Sequence, residues 1–213
     1  MLEPIIRRIF RAPRDRRVGA RVIHDGCGDL RILCLAGAFC ADTATNWSGW
    51  IANLHERFPE AEISIVNGFY YYWPEEVTVM EDIVANGIDV LADEHPTIII
   101  GFSFGGLLAK AMVDRAPRHN VSAIVTLATE HCGHLPRIAD TRDLHLNIPV
   151  DVDVPTYSFG GLLDLIVWPW TSYSPNSHHQ FFLNGHFAFM HSEAARQKVL
   201  RTVDQIIQRH HAR

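Results

Sequence analysis

The run Thr97-Ile98-Ile99-Ile100-Gly101-Phe102-Ser103-Phe104-Gly105-Gly106 constrains this chain more than any other. Three consecutive isoleucines after Pro96 read as a strand buried on both faces, as in a parallel sheet covered by helices. A helix is predicted over residues 105–115. The backbone must therefore leave a buried strand, turn sharply and enter a helix within a few residues. Gly101 and Gly105 lack the Cβ atoms that would collide in such a turn. The turn holds the Ser103 hydroxyl clear of the sheet edge, near the positive end of the helix dipole. A glycine-rich turn with a purely structural serine is the competing reading. The strand–turn–helix context weighs against it.

The rest of the chain alternates in the same way. Strands are predicted at 21–24, 31–36, 62–66, 97–100, 121–127, 156–159 and 180–183. Helices are predicted at 48–58, 74–94, 105–115 and 192–208, with Gly87 breaking or bending the second. Alternation of this kind argues for an α/β fold around a parallel sheet. A length of 213 residues with 47% hydrophobic content suits one domain with a full core. The expected organisation is a basic N-terminal segment over residues 1–20 and a single domain over 21–213.

Composition excludes several classes. A net charge of −5 gives no general reason to expect nucleic-acid binding. No apolar stretch approaches the ~20 residues a membrane span needs, and the first residues lack a secretory core, so a cytoplasmic protein is expected. Residues 1–17 place Ile5, Ile6, Ile9 and Phe10 among six arginines. Docking of this helix on the domain is the favoured reading, and contact with a membrane surface is the alternative. Cys27, Cys34, Cys40 and Cys132 form no CxxC pair and read as free thiols. The run His131-Cys132-Gly133-His134 offers zinc-ligand types without a second matched pair, as does His178-His179. Neither metal nor cofactor is expected, and no phosphate-binding motif of the Rossmann or Walker kind occurs.

The segment Gly101–Gly105 matches G-x-S-x-G and resembles the nucleophile turn of the α/β-hydrolase superfamily, with a resemblance running from about Arg21 to the C-terminus. It implies an α/β-hydrolase fold, with a mostly parallel central sheet, helices on both faces and no separate lid domain. It also implies the catalytic order Ser, then Asp or Glu, then His. The run Gly185-His186-Phe187-Ala188-Phe189-Met190-His191-Ser192 is similar to the ending of small lid-less bacterial lipases, which makes His186 the base. His191 is its competitor. Asp164-Leu165-Ile166-Val167 resembles the Asp-x-x-Val segment that carries the acid in that family. Asp164 could instead serve an Asx-turn or a helix cap. Glu130 is the main substitute acid, and Asp140, Asp143, Asp151 and Asp153 are weaker ones.

The resemblance also supplies an oxyanion hole. One donor is the backbone N–H of Phe104, and the other comes from the loop Ala36-Gly37-Ala38-Phe39, with Ala38 preferred and Phe39 as the register alternative. The family's usual His-Gly at this point is here Ala36-Gly37. Phe39 and Phe187 are expected to line the substrate site, with Trp47 and the aromatic run 69–73 near it.

The implied activity is cleavage of carboxylic esters through an acyl-enzyme, with a small-molecule ester or acyl compound as partner. A thioesterase or acyltransferase using the same residues is the alternative, as is a non-catalytic binding protein. A histidine base predicts activity that falls in mild acid. The short chain, with no insertion long enough for a lid, predicts a preference for small or short-chain esters.

Overall fold

The computed structural model describes residues 18–38, 43–67, 77–93, 95–131, 148–149, 151–174 and 176–211. Seven strands occur among them: β1 (Gly19–His24), β2 (Arg31–Leu35), β3 (Glu62–Asn67), β4 (Thr97–Phe102), β5 (Val121–Leu127), β6 (Thr156–Gly161) and β7 (Ser177–Phe182). Five helices accompany them: α1 (Thr43–Arg57), α2 (Val77–Leu91), α3 (Gly105–Arg115), α4 (Ala188–His191) and α5 (Glu193–His211). The strands form one sheet in the order β1-β3-β2-β4-β5-β6-β7. Only β1 runs antiparallel, against β3.

Side-chain alternation along the central strands explains the layering. Ile32, Cys34, Ile98, Ile100, Val125 and Leu127 point to one face, where they pack on Trp50 and Leu54 of α1 and on Val199 and Val203 of α5. Leu33, Leu35, Ile99 and Ile124 point to the other face, against Met80 and Val84 of α2 and Leu108 and Met112 of α3. Every residue of β2 and of β4 is buried, as a doubly covered strand requires. The continuous apolar runs seen in the sequence are thus a consequence of two-sided packing.

The structure departs from the sequence expectations in several places. Gly87 does not break α2, which continues to Leu91. It permits close helix packing instead, since a Cβ there would lie 2.3 Å from Met112 Cε of α3. The strand β7 starts three residues earlier than predicted, because Ser177, His178 and His179 continue its parallel register with β6. The short helix α4 was not anticipated. Trp47 is buried in the core beside Trp50, with ring centroids 5.9 Å apart, and does not line a site.

Burial raises the pKa of the Cys34 thiol, while Cys27 is exposed. No helix among the described residues is long and apolar enough to cross a membrane. The N-terminal segment 1–17, Cys40, Cys132, His134 and the aromatic run 69–73 lie outside the described residues.

Candidate active site

The C-terminal ends of β4, β6 and β7 carry the three side chains of interest, each on the loop that follows its strand. In open α/β sheets this is the end where ligands bind.

Ser103 follows β4 directly and has φ 53°, one of two positive values at non-glycine residues described. A serine in this left-handed region is strained and is held there by its surroundings. Its N–H donates to the Leu127 carbonyl at 2.7 Å, and its carbonyl accepts from Gly106 N–H at 3.1 Å. The turn closes because three glycines leave room. A Cβ on Gly101 would lie 2.6 Å from Gly106 Cα, and one on Gly105 would lie 2.5 Å from the Leu35 carbonyl oxygen. Gly37, in the loop after β2, passes directly against the serine, and a Cβ there would fall 2.7 Å from Ser103 Cβ. Phe104 is the N-cap residue of α3, so its N–H belongs to the first turn of that helix. Ala38 is half-buried in the turn after β2, next to Gly37. Phe39 lies outside the described residues.

Asp164 and His186 meet across 22 positions of sequence. His186 Nδ1 donates to Asp164 Oδ2 at 2.8 Å, and both side chains are buried. The other oxygen, Asp164 Oδ1, accepts from the N–H groups of Ile166 at 2.9 Å and Val167 at 2.8 Å. The turn-capping and histidine-partner roles, rivals in the sequence, are thus both filled, one by each oxygen. A carboxylate on Nδ1 fixes the neutral imidazole with its lone pair on Nε2.

His186 packs its ring 4.9 Å from the ring of Phe102, the residue before Ser103. Phe187 covers it edge-on at 5.1 Å, and its own side chain is exposed.

The competing residues are placed elsewhere. His191 is exposed at the end of α4. Glu130 is buried just beyond β5, but the carboxylate on His186 belongs to Asp164. Asp151 and Asp153 are exposed. Asp151 accepts from Asn176. Asp140 and Asp143 lie outside the described residues.

The histidines considered as metal ligands have other occupations. His131 is buried with Nε2 3.1 Å from Thr126 Oγ1, and burial, helped by Lys110 and His179, holds its pKa well below the usual imidazole value. His178 stacks on Tyr157 at 4.9 Å, and His179 stacks on Tyr173 at 4.5 Å. Among the described residues no group of three His, Cys, Asp or Glu side chains could hold a metal ion.

Sequence reasoning missed Gly37 as the residue that passes the serine and the Phe102 ring beside His186. Gly37 left a signal, as the glycine of the loop after β2. A hollow of about 530 Å³ opens at the opposite end of the sheet, lined by Gly28, Leu30, Phe58, Pro96, Ser122 and His210. It adjoins the strand N-termini and none of the three residues above, so its size does not mark the chemistry.

No protein-family model matches the chain. Among curated proteins it is 33% identical over 85 residues to a lysosomal thioesterase PPT2 homologue from Drosophila melanogaster. That match spans 39% of this chain and 27% of the relative's length. Solved structures resemble it over nearly the whole chain. An esterase from Exiguobacterium antarcticum aligns with TM-score 0.62 at 13% identity, covering 91% of this chain and 98% of its own. A lipase-esterase related protein from Clostridium acetobutylicum aligns with TM-score 0.60 at 12% identity, covering 86% and 98%. An α/β-hydrolase enzyme from a lagoon-sediment metagenome aligns with TM-score 0.62 at 16% identity, covering 91% and 97%. The chain has the α/β-hydrolase fold, and among the described residues no separate lid domain stands over the strand ends.

Proposed function

We propose, taking the α/β-hydrolase fold as premise, that this protein is a serine hydrolase that cleaves carboxylic esters through an acyl-enzyme. The observation that carries the reading is the buried 2.8 Å bond from His186 to Asp164, beside the strained turn that bears Ser103. A serine hydroxyl is a poor nucleophile until a base takes its proton. In this reading Ser103 Oγ attacks the ester carbonyl while His186 Nε2 accepts the hydroxyl proton. Asp164 stabilises the imidazolium so formed. The N–H groups of Phe104 and Ala38 hold the oxyanion, a role in which each donor contributes about 10²–10³ in rate. Collapse expels the alcohol with the proton from His186. Water then attacks the acyl-enzyme by the same route in reverse.

Two features fit an acyl-transfer site. Asp164 is gripped by two backbone N–H groups, so the imidazole it holds is oriented before substrate arrives. Phe187 leaves an apolar wall beside His186 that can meet an acyl group.

The test is a panel of p-nitrophenyl esters with Ser103→Ala, together with a serine-directed phosphonate. Turnover that disappears in the variant, with phosphonate attached to Ser103, supports the reading. Full turnover in Ser103→Ala sinks it. A thioesterase reading is favoured by one observation, the partial likeness to the fly thioesterase homologue. Matched oxygen esters and thioesters separate the two through kcat/KM. Absence of both turnover and phosphonate labelling would point to a non-catalytic binding protein.

A further inference from the structure

Between Val154 and Ser192 the chain contains a single Asp, Glu, Lys or Arg, and that residue is Asp164. Its carboxylate is buried on His186, so this stretch presents no formal charge of those types to solvent. Its exposed large side chains are mostly apolar, with Asn176, His178, Gln180 and His191 the polar ones among them. Leu165 is 89% exposed, Leu183 78% and Trp170 64%, with Leu163 and Ile166 also open.

These side chains stand on two loops that are joined to each other, and together they form a rim. The loop after β6 and the loop after β7 are tied by Leu162 N–H to the Phe182 carbonyl at 2.8 Å and Leu163 N–H to the Asn184 carbonyl at 3.0 Å. The rings of Trp168 and Trp170 meet edge-to-face at 4.7 Å. The same two loops carry Asp164 and His186. Large exposed apolar side chains gathered on joined loops are a feature that marks contact surfaces on soluble proteins.

We propose that this rim docks on the surface of a zwitterionic phospholipid bilayer and presents the site to acyl esters held there. Loop-tip leucines flanked by tryptophan suit the boundary between acyl chains and headgroups. The absence of Lys and Arg from the rim, in a chain of net charge −5, removes electrostatic attraction to anionic lipid. A folded partner seated here would close the strand ends over Asp164 and His186, whereas a bilayer delivers substrate to them. Among the described residues, the apolar side chains stand on the same two loops as Asp164 and His186, so a surface that held them would meet the site. The proposal depends on the hydrolase reading for the ester, but not for the docking.

The experiment uses the full chain with vesicles of dioleoylphosphatidylcholine, with and without added dioleoylphosphatidylserine, at low and high salt. Binding is read by co-sedimentation and by quenching of tryptophan with brominated lipid. Wild type and Ser103→Ala should bind the zwitterionic vesicles equally, with no gain from phosphatidylserine and no loss in salt. The double variant Leu165→Glu/Leu183→Glu should bind at least tenfold more weakly while hydrolysing a soluble p-nitrophenyl ester at the wild-type rate. Trp170→Ser, a milder change, should lose part of the quenching and keep the fold by circular dichroism.

No binding to zwitterionic vesicles overturns the proposal. So does binding that needs phosphatidylserine and disappears in salt, which would assign the contact to the arginine-rich segment 1–17. A dimer in sedimentation velocity that the double variant dissolves would assign the rim to a second copy, and also overturns it. Vesicle binding by a protein that hydrolyses nothing would sink the hydrolase reading and leave the docking intact.

Discussion

Gly37 and Ser103 are packed so closely that the glycine has no room for a side chain. A Cβ at Gly37 would fall 2.7 Å from Ser103 Cβ, 3.0 Å from the Phe102 carbonyl oxygen and 3.3 Å from Ser103 Oγ. Two of the three atoms belong to backbone or to the stem of the serine, so little can give way cheaply.

Gly37→Ala should therefore displace the serine turn or the loop that faces it. The expected result is a fall of about 10²-fold in kcat/KM, as a misplacement on the order of 1 Å produces. Steady-state kinetics on a soluble ester, beside a thermal melt, checks it. Unchanged kinetics would mean that the loop after β2 moves freely past Ser103.

Asp164→Asn keeps the size of the side chain and lets its oxygen still accept from Ile166 and Val167. The amide cannot serve His186 Nδ1–H as a carboxylate does, so the wrong tautomer or ring orientation gains weight. A loss of about 10³- to 10⁴-fold in kcat is expected, with little change in melting temperature. Glu130→Gln should leave kcat within a few fold; a collapse of turnover there would transfer the acid role to Glu130.

His131 ties stability to pH. Its folded pKa lies well below the ordinary value, chiefly because it is buried, with Lys110 and His179 adding to the effect. Unfolding in mild acid therefore takes up a proton that the folded state does not bind. Its contribution is complete above the unfolded value near ~6.5 and is lost as pH falls below it, at no more than about 1.4 kcal/mol per unit. Urea midpoints for wild type should drop between about pH 7 and pH 5. His131→Gln should drop less over that window, and an equal drop would show that other groups govern the slope.

Arg31 gathers two carboxylates under α2. It donates to Glu62 at 2.7 Å, to Asp93 at 2.6 Å and to the Val90 carbonyl at 2.6 Å, and is itself buried. Burial works against the charges, but the ion pairs prevail, and Glu62 and Asp93 are both held below their usual carboxylate range. Arg31→Met should cost about 2 kcal/mol in a denaturant titration, less than the ~3–5 of a fully buried pair, because Asp93 is well exposed. A loss below about 0.5 kcal/mol would place this cluster among ordinary surface ion pairs.

Much of the fold was legible because its physical causes are local. Ile98-Ile99-Ile100 can be satisfied only with apolar cover on both faces, and α3 ends at Arg115 as expected. The expected break at Gly87 is absent, and the glycine serves a neighbour 25 positions away in sequence. The prediction failed at Trp47, since an aromatic near a loop and an aromatic in a core look alike until the helix is oriented. The Asp164–His186 contact followed from a family resemblance, because nothing within either segment states that they meet. The apolar rim stayed hidden for a different reason. Nothing in the sequence says which way Leu162, Leu165 and Leu183 face, and the coordinates show that they face outward.

The layering of β4 also limits which insertions and deletions the gene can tolerate. Ile98 and Ile100 belong to one core and Ile99 to the other, while Leu35 and Leu127 hold Gly101 and Phe102 in register from either side. Removing one codon between Thr97 and Phe102 would exchange the two faces and turn the residue after the strand toward the wrong layer of helices. Length variation among natural or engineered versions of this protein should therefore collect in the connections and spare these six positions.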